Sequence, residues 1–198
     1  MQKRSSVLLL HHGTNDRSSE NIRSVGFKIF PETREDHWLG PGVYFFREDE
    51  EQALTWARTR YKYDQDTIEL HVLEMEIVVQ DENFLNLDSR SGLEKLNQHL
   101  NSLGELLEQS GAKPLNLDEN RLRHLVMKLL PTHIYVIKRT FPGASRFDKV
   151  PALAAMRLRS HGVQVCIRSE KAIDMKSVRI INVLPFRKSK AVEVRVTG

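Results

Sequence analysis

The sequence predicts an α+β protein, and three observations support this. Apolar or alternating segments typical of strands lie towards both ends of the chain, and two leucine-rich helical patterns lie in the middle. Gly and Pro residues punctuate the stretches between them. The 198 residues are predicted to form a single domain, residues 1–198, with a helical insertion at about 89–130.

The first predicted strand is Ser6–His11, an almost wholly apolar run of the kind found in the centre of a sheet. It is predicted to end in a polar turn at Gly13–Asp16. A short helix capped by Ser18 or Ser19 should follow. That helix is expected to end at Gly26, since glycine readily adopts the left-handed conformation that stops a helix.

The next segments alternate between strand and helix patterns. Val43–Phe46 is predicted to be a short strand, and the acidic residues 48–51 favour a helix that continues to about Tyr61. Residues 67–79 alternate as in a long strand. Their alternation changes phase at Leu73, which predicts a β-bulge.

The middle of the chain is predicted to be a helical hairpin. Leucines recur at helical spacing from residue 89 to Gly111, and a second helical pattern covers residues 118–130. Stripes of this kind more often serve the core than a groove for a partner, so a core role is favoured and partner binding stays open as the alternative. Further strands are predicted at residues 132–138, 164–168, 178–184 and 191–196.

Charge is distributed unevenly along the chain. Residues 1–133 hold 16 Lys and Arg against 22 Asp and Glu, whereas residues 134–198 hold 14 against 4. Such a basic segment either attracts phosphates or a nucleic acid, or is a solvated face. The single cysteine, Cys166, cannot form an intramolecular disulfide and is predicted to be a packed thiol. With no apolar run near the ~20 residues of a membrane helix, we expect a cytoplasmic protein that contacts no membrane.

Two short motifs indicate the chemistry. His12-Gly13-Thr14 ends an apolar run, and Gly42-Val43-Tyr44-Phe45 follows about thirty residues later. In each, a glycine lets a ligand approach the backbone beside a side chain that suits part of a nicotinamide riboside. With Trp56 on the following helix, these motifs resemble the PARP-like, or diphtheria-toxin-like, family of NAD-dependent ADP-ribosyltransferases. The signature of that family is His, Tyr and Glu on three separate strands.

The resemblance implies a split β-sandwich of two mainly antiparallel sheets with flanking helices, NAD as co-substrate and no metal. It assigns His12, rather than His11, to the ribose hydroxyls on the adenosine side of NAD, and the backbone of Gly13 to the carboxamide. Tyr44 and Trp56 would enclose the nicotinamide ring, unless they serve only as core aromatics. The implied binding residues are His12, Gly13, Thr14, Gly42, Tyr44 and Trp56, and the implied catalytic residues are His12, Tyr44 and Gln164.

Gln164 stands where the family has its catalytic glutamate. A glutamine amide can accept a hydrogen bond from the ribose, but it adds no negative charge to an oxocarbenium ion. Glu74 and Glu76 share a strand face, either as solvated residues or as a carboxylate pair near a substrate. The side chains that could supply the carboxylate from elsewhere are Glu170, Asp148, Glu74 and Glu76, and spacing does not choose among them.

The resemblance predicts a mono-ADP-ribosyltransferase that acts on a protein or a nucleic acid, as a toxin or a phage-defence effector does, with an antitoxin or inhibitor as a further partner. The basic residues 134–198 modestly favour a nucleic-acid acceptor. Two alternatives stay open: an NAD glycohydrolase, and a catalytically inactive pseudo-transferase that binds NAD or nucleic acid, which Gln164 favours. Arg168 either neutralises a pyrophosphate or is an ordinary strand arginine.

Overall fold

The fold is built on one mixed β-sheet. The computed structural model describes residues 4–30, 37–109, 118–142 and 161–187. Within them the strands are β1 (Ser5–Asn15), β2 (Val43–Arg47), β3 (Glu69–Gln80), β4 (Phe84–Asn86), β5 (Val136–Pro142), β6 (His161–Ile167) and β7 (Arg179–Pro185). They form a seven-stranded sheet in the order β4-β5-β6-β2-β1-β3-β7, in which β4 and β5 are parallel and every other pair is antiparallel.

Helices complete the architecture, and the predicted α+β fold class is confirmed. In the described ranges they are α1 (Asp16–Val25), α2 (Glu50–Arg60), α3 (Arg90–Gln109) and α4 (Glu119–Lys128), with 3-10 turns at Asp81–Asn83, Glu170–Ala172 and Met175–Ser177. Both helices expected in the middle of the chain are present. None of the helices described is long and apolar enough to cross a membrane.

The sheet divides in its middle. β1 and β2 meet at only two residue pairs, Leu10 with Arg47 and His11 with Phe46. Beyond them β1 stays paired with β3 as far as Asn15, while β2 pairs on its other side with β6. The prediction of two separate sheets is therefore wrong, because these two residue pairs between β1 and β2 join all seven strands into one sheet.

The polar stretch Gly13–Asp16 is not the predicted turn. Residues 13–15 extend β1, and Gly13 pairs with Val72 of β3. A Cβ on Gly13 would lie 1.8 Å from the carbonyl oxygen of Ala53, so the missing side chain is what lets α2 pack onto the strand. Tertiary packing thus overrides the turn preference of these residues.

Other element ends shift by a few residues from their predicted positions. Asn15, rather than Ser18 or Ser19, caps α1, because its side-chain oxygen accepts a hydrogen bond from the Ser18 backbone N–H at 2.9 Å. Gly26 ends that helix with φ +85°, as predicted. β5 begins at Val136 rather than residue 132, since residues 131–134 form a turn.

The change of phase predicted in β3 is confirmed. The register between β3 and β7 shifts between Val72 and Leu73. Burial switches faces at the same point, with Leu70 and Val72 buried before it, and Leu73 and Met75 buried after it. The strand predicted at residues 191–196 lies outside the described residues.

In the described part of the chain, three apolar clusters pack against the sheet. The first joins α1 and the segment after it to β1, β2, β3, β5 and β6. The second lies under α4 and includes Cys166 and Met127, and the third joins Ala53 of α2 to Phe46 and Val72. Cys166 is the packed thiol that was predicted, and burial raises its pKa to about 12. The leucines of α3 serve the core only in part: Leu96 packs against the second cluster, whereas Leu93 is 48% exposed.

Candidate functional site

A cavity of about 450 Å³ occupies the split between β1 and β2. Its walls come from β1, α1, β2, α2, β6 and the segment after α1. All the residues proposed from the sequence as donor-binding or catalytic line it: His12, Gly13, Thr14, Gly42, Tyr44, Trp56 and Gln164. The two motifs, far apart in the sequence, thus meet where the central strands separate.

His12 bridges the two sides of the split. Its Nδ1 lies 2.8 Å from the carbonyl oxygen of Tyr44, and its ring packs edge-on against Phe27 and tilted against Phe45, each with centroids 5.4 Å apart. Burial lowers the pKa of His12, and the hydrogen bond to Tyr44 offsets this only in part. Because a carbonyl can only accept, the neutral ring donates from Nδ1 and keeps Nε2 as an acceptor.

Both motif glycines are required by packing within the protein. Gly13 lies against α2, as described above. A Cβ on Gly42 would lie 2.4 Å from the sulfur of Cys166 and 2.6 Å from the carbonyl oxygen of Ile167. These contacts give each glycine a structural reason in addition to the close ligand approach that the sequence suggests.

Tyr44 is held rigidly at the cavity wall. Its hydroxyl accepts a hydrogen bond from the Leu39 backbone N–H and donates one to the Gly40 carbonyl, both at 2.8 Å. The ring of His37 stacks on it, with centroids 4.9 Å apart and an angle of 25° between the planes. One face of Tyr44 is therefore covered by His37, a contact that no sequence pattern indicates.

Helix α2 supplies another part of the cavity wall. Trp56 is 37% exposed and lines the cavity together with Arg60 and Tyr61. The Tyr61 hydroxyl lies 3.2 Å from the hydroxyl of Thr14, which ties the end of α2 to β1. Arg60 follows Trp56 by four residues, so the helical period that places one on the cavity side also places the other there.

Gln164 reaches the cavity from β6, where it pairs with Phe46 of β2. None of the described residues lining the cavity is Asp or Glu, and its charged side chains are Lys28 and Arg60. The lining is therefore electropositive, which suits an anionic ligand. Lys28, like Arg60, was not proposed from the sequence, and it shows no spacing that would have revealed it.

The carboxylates considered as substitutes for the missing glutamate lie elsewhere. Glu74 bonds His11 at 3.2 Å and Arg179 at 2.6 Å, and Glu76 is exposed on the same strand. Neither of them nor Glu170 lines the cavity. Asp148 lies outside the described residues.

Arg168 does not line the cavity either. Its guanidinium lies 3.4 Å from the carbonyl oxygen of Ile134 and 3.5 Å from that of Lys128, the last residue of α4. Burial lowers its pKa. Arg168 thus ties the end of α4 to the sheet and takes no part in the cavity. In the described part of the chain, no group of three His, Cys, Asp or Glu residues is arranged to hold a metal.

Comparison with known proteins adds little to this geometry. No protein-family model matches the chain. Over 81 residues, which are 40% of this chain, it is 28% identical to the uncharacterized protein MJ0359 of Methanocaldococcus jannaschii. The match spans 37% of that protein's length. The match shows similarity over a limited segment and assigns no function to this chain.

Proposed function

We propose that the protein is a mono-ADP-ribosyltransferase of the PARP-like type, which binds NAD in the split between β1 and β2. The observation that carries the proposal is the convergence of both motifs, Trp56 and Gln164 on one cavity. Its volume of about 450 Å³ falls within the ~300–1,000 Å³ range of small-molecule sites.

The lining residues suit the parts of NAD. The aromatic rings of Tyr44 and Trp56 provide flat surfaces for a cationic nicotinamide, which gains from contact with electron-rich ring faces. The unprotonated Nε2 of His12 can accept a hydrogen bond from a ribose hydroxyl. Arg60 and Lys28 supply positive charge for the pyrophosphate.

In the proposed transfer the bond between C1′ of the ribose and the nicotinamide nitrogen breaks, and its electron pair stays on nicotinamide. A nucleophilic atom of the acceptor then bonds C1′ and releases its proton to solvent. Gln164 would accept a hydrogen bond from the 2′-hydroxyl and so hold the ribose for this attack. Because the amide carries no charge, it stabilises the oxocarbenium ion less than a glutamate would.

Incubation with a cell lysate as the source of acceptors and NAD labelled in its adenylate half, followed by separate protease and nuclease digestion of the products, tests the proposal. We expect labelled macromolecule and free nicotinamide from the native protein, and a loss of at least ~10-fold for Tyr44→Ala and for Trp56→Ala. The matched control is Tyr63→Ala, because Tyr63 is an aromatic residue near the end of α2 that is 81% exposed and does not line the cavity. Equal labelling by all four proteins would contradict the site assignment.

A second candidate is a non-catalytic NAD-binding protein, and the specific observation that favours it is the lack of Asp or Glu among the described residues lining the cavity. Such a protein would bind NAD without releasing nicotinamide. The variant Gln164→Glu distinguishes the two functions. For a transferase, it should raise the rate of nicotinamide release, whereas a binding protein should stay inactive. An NAD glycohydrolase would release nicotinamide without labelling any macromolecule.

A further inference from the structure

Two arginines and two aromatic rings form a continuous strip on the surface next to the cavity. The guanidinium of Arg123, on α4, lies 4.7 Å from the ring centroid of Trp38. The Trp38 and Phe141 rings meet edge to face with centroids 5.0 Å apart, and the guanidinium of Arg139 lies 5.8 Å from the Phe141 ring. We call these four residues the Arg–aromatic strip. They come from α4, the segment before β2, and β5.

The strip adjoins the cavity at two points. Arg139 of β5 is the register partner of Gln164 of β6, and directly opposed residues point to the same face with Cβ atoms about 5 Å apart. Trp38 follows His37, which lines the cavity and stacks on Tyr44. A ligand lying along the strip would therefore reach the cavity lining without leaving the surface.

The strip is positively charged and partly accessible. Trp38 is 44% exposed and Arg139 is exposed, whereas Arg123 and Phe141 are half-buried. Arg139 makes no ion pair with any residue that the structure describes, whereas its neighbour Lys138 is paired with Asp88 at 3.1 Å. Two of its four residues, Arg139 and Phe141, belong to the basic part of the chain, residues 134–198.

Two adjoining aromatic rings with a guanidinium group at each end suit a single-stranded nucleic acid better than a protein surface. Unpaired bases stack on aromatic faces, and arginines contact the phosphates and stack as well. A duplex cannot offer its base faces in this way. A purely core role would not explain why Trp38 is exposed and lies between Arg123 and Phe141.

We propose that the Arg–aromatic strip binds single-stranded nucleic acid and presents it to the cavity as the acceptor of ADP-ribose. The acceptor role rests on the proposed function. In the transfer, a base nitrogen or a hydroxyl oxygen of the strand bonds C1′ of the NAD ribose, nicotinamide leaves with the electron pair of the broken bond, and the acceptor's proton passes to solvent.

Binding of a fluorescently labelled single-stranded oligonucleotide, measured without NAD, tests the strip separately from the donor site. We expect single strands to bind more tightly than the matching duplex, with an affinity that falls as salt rises. Trp38→Ala should weaken binding ~10-fold or more, since stacking contributes ~1–3 kcal/mol per base. Arg139→Gln should lower the magnitude of the salt slope by about one.

The matched control is Tyr63→Ala, which removes another exposed aromatic ring next to a cation, Lys62, whose Nζ lies 5.1 Å from the Tyr63 ring. It should bind the oligonucleotide as the native protein does. The conservative variant Phe141→Leu removes an aromatic ring but keeps an apolar side chain of similar size. Thermal unfolding of each variant then shows whether weaker binding comes from lost stacking or from lost folding. NAD binding should survive Trp38→Ala.

Several results would overturn the inference. Equal binding of duplex and single strand, or unchanged binding by Trp38→Ala, removes the strip as a stacking surface. Label that only protease releases makes a protein the acceptor, so it contradicts this inference but supports the proposed transferase. Oligonucleotide binding without nicotinamide release in the presence of NAD and the strand contradicts both the acceptor role and the proposed function.

Discussion

The two neighbouring histidines of β1 have opposite roles because a strand alternates its side chains between two faces. His11 is buried on the face that α2 partly covers, where it bonds the carboxylate of Glu74. His12 points into the split, bonds the Tyr44 carbonyl and lines the cavity. One residue position thus separates a structural contact from a candidate ligand contact. We call the face of β1 that carries His11 the α2 side and the face that carries His12 the cavity side; Gly13, on the α2 side, also borders the cavity.

The largest expected effect is on the α2 side. Gly13→Val places side-chain atoms where the Ala53 carbonyl lies, so either the strand or α2 must move. We expect a loss of about 3 kcal/mol or more in the free energy of unfolding, measured by chemical denaturation. Gly104→Ala in α3 is the control, because a Cβ there meets no atom within 4 Å and should stabilise the helix. Equal stability of both variants would contradict the packing argument.

The next prediction compares the histidines directly. His12→Asn retains a donor near the Nδ1 position but removes Nε2, so we expect NAD to bind ~10-fold more weakly to the folded protein. His11→Asn should leave NAD binding within ~twofold. Isothermal titration with NAD measures both. If His11→Asn weakened binding more than His12→Asn, the assignment of the two faces would be reversed.

A smaller effect concerns acid stability on the α2 side. Burial opposes ionisation of Glu74, but the bonds from Arg179 and His11 outweigh it and hold the pKa of Glu74 below its ordinary value of 4.5. A lowered folded-state pKa gives stability that is present above pH 4.5 and is lost as the pH falls through the folded value. Glu74→Gln should cost about 1 kcal/mol at pH 7 and less in acid. Denaturation at pH 7 and pH 3.5 measures the difference, and a cost that rises in acid would contradict it.

The smallest expected effect concerns the cavity side. Because burial lowers the pKa of His12 from 6.5, the unfolded chain binds a proton more readily than the folded protein does. The stability that comes from keeping His12 neutral is therefore fully present above pH 6.5. It is lost as the pH falls from 6.5 towards the lower pKa of His12 in the folded protein. We expect a shallower decline in stability between pH 7 and pH 5.5 for His12→Asn. The same slope in variant and native protein would show that His12 does not titrate in this way.

The sequence predicts local elements well because periodic patterns set them. The leucines of α3 and the change of phase at Leu73 both led to elements that the structure contains. β4 was missed, since three residues are too few to show a period. The turn predicted at Gly13–Asp16 was wrong because pairing with β3 and packing of α2, both distant in sequence, decide the conformation there.

The candidate site was predicted as a set of residues but not as a shape. All of the proposed residues line one cavity, yet the point at which β2 leaves β1 depends on its pairing with β6, which no spacing reveals. The stacking of His37 on Tyr44 is likewise a long-range contact. Arg60 could have been found from its helical spacing to Trp56, whereas Lys28 could not.

The buried thiol offers a built-in reporter of motion. Cys166 is the single cysteine of the sequence, and its sulfur fills the space left by Gly42, directly behind the strand that carries Tyr44. With its pKa raised to about 12, it should not react with alkylating reagents until β2 and β6 separate. The rate at which Cys166 is modified would therefore measure how often β2 and β6 separate. A ligand that fills the split should slow this modification.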